Sequence, residues 1–187
     1  GFCKNCGKPD GTILSGKVWY KLTENDTELF DGSTGLTLTI DGNGIMPDFM
    51  FKDEAPWYDV AGKITAIEIN SGVTSISNNA FSGCTSLKEL TIPGSVKSIG
   101  AHAFQGYKKL PAVTIPTSVS SIGNYAFQGC NSMTTLTISE GVKSIWQYAF
   151  QGCASLQSVT IPSSVESIGG FAFQDCSSMT TLTISED

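Results

Sequence analysis

Two cysteines near the amino terminus have the spacing of a metal or redox motif. Cys3 and Cys6 form a C-x-x-C pair in the sequence GFCKNCGK. A structural zinc site takes four ligands, and the chain has no second C-x-x-C pair to complete one. A redox pair would need a thioredoxin-like βαβ setting, which the flanking residues do not have. The pattern therefore favours a local disulfide or two free thiols over a metal site.

The other four cysteines share one position of a repeated pattern. They are Cys84, Cys130, Cys153 and Cys176, and Tyr107 takes the same position between the first two. Stacked Cα atoms about 4.8 Å apart would lie within disulfide range. Parallel side chains would strain the dihedral angle of an S–S bond, however, and cysteine is among the most often buried residue types. We predict a ladder of buried thiols that serves as small apolar filler.

No side chains have the grouping of an acid–base or nucleophilic active site. His102 is the only histidine, and because no nucleophile is placed beside it we predict a surface residue rather than a triad member. The sequence DGNG at 41–44 resembles the start of a calcium loop. Ile45, Pro47 and Lys52 would then occupy later ligand positions, so a tight turn is predicted instead. The sequence thus predicts a protein without enzymatic activity, cofactor or bound metal.

Composition and charge limit the classes of partner. Of the 187 residues, 40% are hydrophobic and 15% are charged, and the formal net charge is −6. Nucleic acid and anionic membrane surfaces attract basic proteins, so neither is a predicted partner. No apolar run approaches the roughly 20 residues of a membrane-spanning helix. A protein partner is therefore favoured over nucleic acid or membrane.

A 23-residue repeat predicts the secondary-structure elements that hold the repeated cysteines and the other repeated residues. Isoleucine recurs at this interval at Ile69, Ile92, Ile115, Ile138, Ile161 and Ile184. The phenylalanine of an Ala-Phe pair keeps the same interval at Phe81, Phe104, Phe127, Phe150 and Phe173. Two further registers hold valine and a second isoleucine. Self-similarity at one period is the signature of a solenoid, in which each coil buries its apolar face against its neighbours.

Within one coil the spacing predicts two extended segments and a return. Leu90-Thr91-Ile92 alternates apolar and polar residues, which predicts a half-buried strand. The following Val-x-Ser-Ile predicts a second short extended segment, and the Ala-Phe pair predicts a short helical or irregular return. Strands of neighbouring coils are expected to pair in parallel about 4.8 Å apart. The fold class is thus a β-rich solenoid with a parallel sheet on one face.

The repeat has the pattern L-x-x-[LV]-x-I-P-x-S-V-x-S-I-x-x-x-A-F-x-x-C, which resembles the leucine-rich repeats of BspA-like bacterial surface proteins. The segments LTLTIDGNGIM (36–46) and APWY (55–58) resemble the amino-terminal cap of that family. The resemblance implies a right-handed leucine-rich repeat solenoid with its parallel sheet on the concave face. It also implies a secreted or cell-surface protein that adheres to a protein partner from host, matrix or bacterial surface.

The amino-terminal region does not repeat. We predict that residues 1–64 form a capping region with a divergent first coil, in which Leu38 and Ile40 form a strand. Residues 65–187 are predicted to form five full repeats and a final strand. The aromatic-rich stretch MPDFMFKDEAPWYDV is expected to cover the open apolar end of the solenoid.

An alternative places some of the aromatic residues on the surface. Trp57, Tyr58 and Trp146 would then form a patch for carbohydrate, since aromatic rings stack on sugars. A third hypothesis is a structural spacer that binds no ligand.

The outward positions of the first predicted strand form the leading candidate binding face. They are Glu68, Glu89, Thr91, Thr114, Thr135, Thr137, Ser158, Thr160, Thr181 and Thr183. This row has no paired carboxylates, no histidine and no basic cluster, so it favours protein contact over acid–base catalysis. The alternative is that β-branched residues occur there for strand packing alone.

The sequence ends at LTISED, directly after a predicted strand. A final strand with an open edge invites pairing. We therefore expect either a natural continuation of the chain or an end-to-end homodimer.

Overall fold

The computed structural model describes residues 12–15, 17–29 and 32–186. Cys3 and Cys6 lie outside the described residues. The strands, in chain order, are β1 (Thr12–Ser15), β2 (Val18–Glu28), β3 (Thr34–Gly42), β4 (Gly44–Ile45), β5 (Ile64–Ile69), β6 (Val73–Ile76), β7 (Ser98–Ile99), β8 (Ala112–Ile115), β9 (Ser121–Ile122), β10 (Thr135–Ile138), β11 (Ser144–Ile145), β12 (Ser158–Ile161), β13 (Ser167–Ile168) and β14 (Thr181–Ile184). Two short 3-10 helices cover Lys52–Glu54 and Tyr58–Lys63.

The amino-terminal strands lead directly into the repeats. β1, β2 and β3 pair antiparallel in that order, and β3 then pairs in parallel with β5. Leu38 lies opposite Ile67, and Ile40 lies opposite Ile69. The predicted first strand at Leu38 and Ile40 is therefore confirmed, and β3 serves as the first parallel strand of the solenoid.

The longest sheet lies on the second extended segment of each coil. It is a six-stranded parallel sheet in the order β13-β11-β9-β7-β6-β4, which we call the serine ladder because a serine opens four of its strands. The residues directly after β7 and β9, Gly100 and Gly123, show how closely neighbouring coils approach. A Cβ atom at Gly100 would lie 2.5 Å from the backbone nitrogen of Asn78, and one at Gly123 would lie 2.7 Å from that of Ala101. A side chain at Gly100 or Gly123 would therefore collide with the neighbouring coil, which favours glycine at these two positions.

In the later coils, the strands of the first extended segment form two separate two-stranded sheets. β8 pairs in parallel with β10, and β12 pairs in parallel with β14. In each strand of β8, β10 and β12 exposed and buried residues alternate, as the apolar–polar pattern predicted. The predicted parallel solenoid is confirmed, although no backbone ladder joins β10 to β12 in the described part of the chain.

A column of stacked aromatic rings runs through the core. Neighbouring rings of Phe81, Phe104, Phe127 and Phe150 have centroids 5.1–5.4 Å apart and are fully buried. Offset stacking of this kind adds to the free energy gained by burying the rings. Because each phenylalanine recurs after 23 residues, every coil contributes one ring to the column.

Trp57 begins this column instead of forming a surface patch. Its indole is 1% exposed, lies 6.0 Å from the ring of Phe81, and donates from Nε1 to the backbone oxygen of Ala80 at 2.8 Å. The rings of Tyr20 and Phe49 pack edge-on against it. No face of the indole is free for a ligand, so the alternative that places Trp57 in an exposed aromatic patch is wrong. The prediction that its aromatic-rich stretch covers the open end of the solenoid is confirmed for Trp57. The buried indole covers the ring of Phe81 at the start of the aromatic column.

The repeated cysteines are buried and unbridged, as predicted. The thiols of Cys130, Cys153 and Cys176 each donate to the backbone oxygen of the phenylalanine 26 residues earlier, at 3.3–3.4 Å. Tyr107 occupies the same register, and its hydroxyl donates to Phe81 O at 2.9 Å. The cysteine register therefore fills space in the core and also supplies hydrogen-bond donors to it.

Burial of this register changes its acid–base properties. Burial raises the pKa of the Cys84 thiol to about 12, although a hydrogen bond with Tyr107 lowers it. Burial also raises the pKa of Tyr107 well above its usual value. A hydrogen bond with Cys153 raises the pKa of Cys176 further than burial does. These thiols therefore remain protonated and poorly nucleophilic at neutral pH.

Candidate functional site

The predicted binding face lies fully on the surface. We call it the threonine face, and all ten of its residues are exposed: Glu68, Glu89, Thr91, Thr114, Thr135, Thr137, Ser158, Thr160, Thr181 and Thr183. Parallel pairing places Thr137 beside Thr114 and Thr160 beside Thr183. The structure thus brings the predicted residues into adjacent rows, with hydroxyl groups as the main functional group.

A shallow groove divides the threonine face. It has a volume of about 370 Å³ and is lined by residues of β10 and β12, including Thr135, Thr137, Ser158 and Thr160. The groove lies where these two strands lack a backbone ladder. Hydroxyl groups along its walls can donate and accept hydrogen bonds without carrying charge. Such a surface can contact a polar partner, but it has no titratable pair for proton transfer.

The other two residues of the predicted aromatic patch line separate cavities. Tyr58 is half-buried in a cavity of about 610 Å³ with Phe51 and His102 among its lining residues. Trp146 is 52% exposed and lines a different cavity of about 540 Å³ along the serine ladder. The structure therefore does not bring Trp57, Tyr58 and Trp146 together.

Two side-chain ladders on the outside of the returns were missed by the sequence reasoning. The rings of His102, Tyr125, Tyr148 and Phe171 stack with centroids 4.7–5.1 Å apart. Beside them, the side-chain amides of Gln105, Gln128, Gln151 and Gln174 form a hydrogen-bonded row. The 23-residue spacing of these residues was the available signal.

His102 joins these two ladders. Its ring stacks on Tyr125 with centroids 4.8 Å apart, and its Nδ1 lies 3.1 Å from Gln105 Oε1. His102 is half-buried and has φ of 56°, a left-handed conformation that the stacked ring and backbone bonds must hold. Its neighbours supply no nucleophile, so the arrangement is one of packing rather than a triad.

Metal and membrane sites find no support in the described residues. Across residues 12–15, 17–29 and 32–186, no group of three or more histidine, cysteine or acidic side chains could hold a metal ion. Within the same residues, no helix has the length and apolar character to cross a membrane.

The repeat itself decides the family. The sequence profile described as BspA type Leucine rich repeat region matches residues 57–180 in six copies. The chain belongs to this family. The BspA-type assignment confirms the resemblance, and leucine-rich repeat proteins of this kind generally bind other proteins. No significant match was found among curated proteins.

Solved structures share the fold of this BspA-type chain. A leucine rich cell surface protein from Faecalibacterium prausnitzii A2-165 is 26% identical with a TM-score of 0.55, over 98% of this chain and 56% of the other. A leucine-rich repeat protein from Bacteroides ovatus ATCC 8483 is 22% identical with a TM-score of 0.58, over 91% and 52%. The T. pallidum Leucine Rich Repeat protein is 22% identical with a TM-score of 0.59, over 83% and 87%. The chain thus spans about half the length of the first two.

Proposed function

We propose that this chain is a non-enzymatic, secreted or cell-surface protein that binds another protein through the threonine face. The observation that carries the proposal is the exposure of ten mainly hydroxyl-bearing residues at equivalent positions of successive coils. Membership of the BspA-type family supports a binding role, because leucine-rich repeats generally bind proteins. The cell-surface description of the F. prausnitzii structure supports the location.

The chemistry of this face fits a neutral polar partner surface. Hydroxyl groups form hydrogen bonds with backbone and side-chain groups, and β-branched threonine loses little side-chain entropy on binding because it is already restricted. The groove between β10 and β12 offers a recess for a protruding partner side chain. Adhesion to a host, matrix or bacterial surface protein is the role we infer for such a surface.

A photocrosslinking experiment tests the face directly. A photoreactive phenylalanine would replace Thr137 in the groove or, as a matched control, exposed Gln147 outside the threonine face. Each protein is irradiated with a solubilised extracellular matrix preparation and with a bacterial surface extract. We expect one adduct that forms only from position 137 and that Thr160→Lys weakens. Adducts that form equally from both positions, or none from 137, contradict the proposal.

Three further predictions stay open beside this one. They are the division at residues 64 and 65, the end-to-end homodimer, and the spacer role without a ligand. In the last coil, Leu182 and Ile184 are 48% and 65% exposed. Light scattering at high concentration tests the homodimer, which a monomeric mass would exclude.

A further inference from the structure

A second groove lies on the serine ladder, away from the threonine face. It has a volume of about 540 Å³, with Ile45 and Asp48 among the residues that line it from the amino-terminal coils and Trp146 from a later coil. Gly100 and Gly123 line it between them. From β4, which carries Ile45, to the coil of Trp146 there are four steps of about 4.8 Å, so the groove is about 19 Å long. A ligand that fills it is longer than a single sugar ring.

Trp146 stands in this groove at a register position that otherwise holds small residues. The same position in the other coils is Ser77, Gly100, Gly123 and Gly169. The backbone nitrogen of Trp146 donates to Ile122 O, just as those of Gly100 and Gly123 donate to Ile76 O and Ile99 O. The coil therefore makes its usual backbone bond without using the indole. The large ring is 52% exposed, whereas Gly100 and Gly123 carry no side chain at this position.

Three buried polar atoms along the groove lack hydrogen-bond partners. They are Ser75 Oγ, Ser77 Oγ and Asn124 Oδ1, and none has a partner in the described part of the chain. Ser77 is only 3% exposed. A buried polar atom without a partner costs free energy, so native proteins keep few of them without a reason. These residues therefore give the groove unused hydrogen-bonding capacity.

A comparison between two coils shows that the free amide oxygen of Asn124 is not a general property of its register. Asn78 and Asn124 occupy the same register, two coils apart. Asn78 Oδ1 accepts a hydrogen bond from the backbone nitrogen of Ala101 at 2.6 Å. The equivalent donor for Asn124 would be the nitrogen of Gln147, directly after Trp146, and that bond is not formed. The coil that carries the exposed tryptophan is thus also the coil that leaves an amide oxygen free.

We propose that this groove binds a neutral oligosaccharide. The exposed indole of Trp146 offers an apolar face to the C–H groups of one sugar ring, while Ser75, Ser77 and Asn124 hydrogen-bond to sugar hydroxyls. Asp48 is the one charged side chain lining the groove, and its Oδ1 already accepts from Asn78 N. An anionic ligand therefore finds no matching partner there.

An extended peptide fits this groove less well. Peptides that add to a sheet need a free strand edge with unpaired backbone groups. Three of the strands beneath the groove, β6, β7 and β9, are interior members of the six-stranded sheet and pair on both sides, and only β4 at one end of the groove is an edge strand. The unused groups are side-chain hydroxyls and an amide oxygen, which suit hydroxyl-rich ligands instead.

The test uses the whole chain on an array of neutral oligosaccharides that includes maltotriose, chitotriose and mannotriose. Soluble forms of the bound sugars are then titrated while tryptophan fluorescence is recorded. Trp146→Gly restores the residue found in neighbouring coils, so it removes the indole while the fold is kept. We expect at least a tenfold loss of affinity in Trp146→Gly and a smaller loss in Asn124→Ala. Phe51→Ala, in the other cavity, is the matched control and should bind as the unmodified chain does.

The outcomes separate the possibilities. Sugar binding lost in Trp146→Gly and kept in Phe51→Ala supports the groove. Sugar binding that survives Trp146→Gly, or that Phe51→Ala removes, places the sugar elsewhere and overturns the proposal. An array without any bound sugar at millimolar concentration overturns the proposal as well. So does a peptide that binds in the groove when no sugar binds there. Protein binding through the threonine face is measured separately by the crosslink at position 137.

Discussion

Tyr107 and Trp146 are both large aromatic residues that interrupt a register of smaller residues. Tyr107 is fully buried, and its hydroxyl donates to Phe81 O just as the cysteine thiols donate in other coils. Trp146 is half exposed, replaces glycine, and lies beside an amide oxygen without a partner. Tyr107 keeps the hydrogen bond of the cysteine register, with a hydroxyl in place of a thiol. Beside Trp146, the amide oxygen of Asn124 is left without a hydrogen bond. In a repeat protein, an uncompensated exception is thus the better pointer to a binding site.

The largest expected loss of stability comes from truncating a residue of the aromatic column. Phe127 is fully buried between Phe104 and Phe150 in the aromatic column. Phe127→Ala removes the ring and leaves a cavity, which should lower the free energy of unfolding by about 3–5 kcal/mol. Urea unfolding followed by circular dichroism measures the change. A loss below about 1 kcal/mol would mean that the neighbouring coils collapse into the space.

High pH probes the buried register that contains Tyr107. The pKa of the Cys84 thiol rises from its ordinary value of 9.0 to about 12 in the folded chain. The folded state therefore binds the proton more tightly, so its stabilisation is complete below pH 9 and is lost as the pH rises from 9 towards 12. The slope is about 1.4 kcal/mol per pH unit from this group. Urea unfolding at pH 8 and pH 10 should show the loss.

Cys84→Ala is the control for the pH effect. This variant removes one titrating thiol, so its stability should fall less steeply between pH 8 and pH 10. An identical slope in the variant and the unmodified chain would assign the alkaline loss to other groups.

The hydroxyl of Tyr107 supplies a smaller effect. Tyr107→Phe keeps the buried ring but removes the donor to Phe81 O, which also accepts from the backbone nitrogen of Cys84. Because the acceptor keeps one partner, we expect a loss of about 1 kcal/mol, measured by the same urea unfolding. No change would show that the hydroxyl fills space only, and the contrast with Trp146 would then rest on burial alone.

Periodic residues explain how much of this structure the sequence could predict. The buried isoleucine, phenylalanine and cysteine registers follow from the 23-residue interval, because stacking puts identical positions in contact. The period did not place Trp57 in the aromatic column, since it lies 24 residues before Phe81, but the aromatic-rich stretch that contains it was predicted to cover the open end of the solenoid. The serine-ladder groove could not be predicted either. It depends on which side-chain atoms find partners, and Asn78 and Asn124 differ in that respect despite identical registers.

The smallest effect on stability is expected where the largest effect on binding is proposed. Trp146→Gly removes a half-exposed ring from a position that is glycine in three other coils, so the lost packing is small. Glycine also increases the entropy of the unfolded chain, and the net loss should stay within about 1 kcal/mol in urea unfolding. A loss as large as that of Phe127→Ala would make Trp146 a structural residue like Tyr107. A small loss combined with weaker sugar binding would separate folding from recognition at this one position of the repeat.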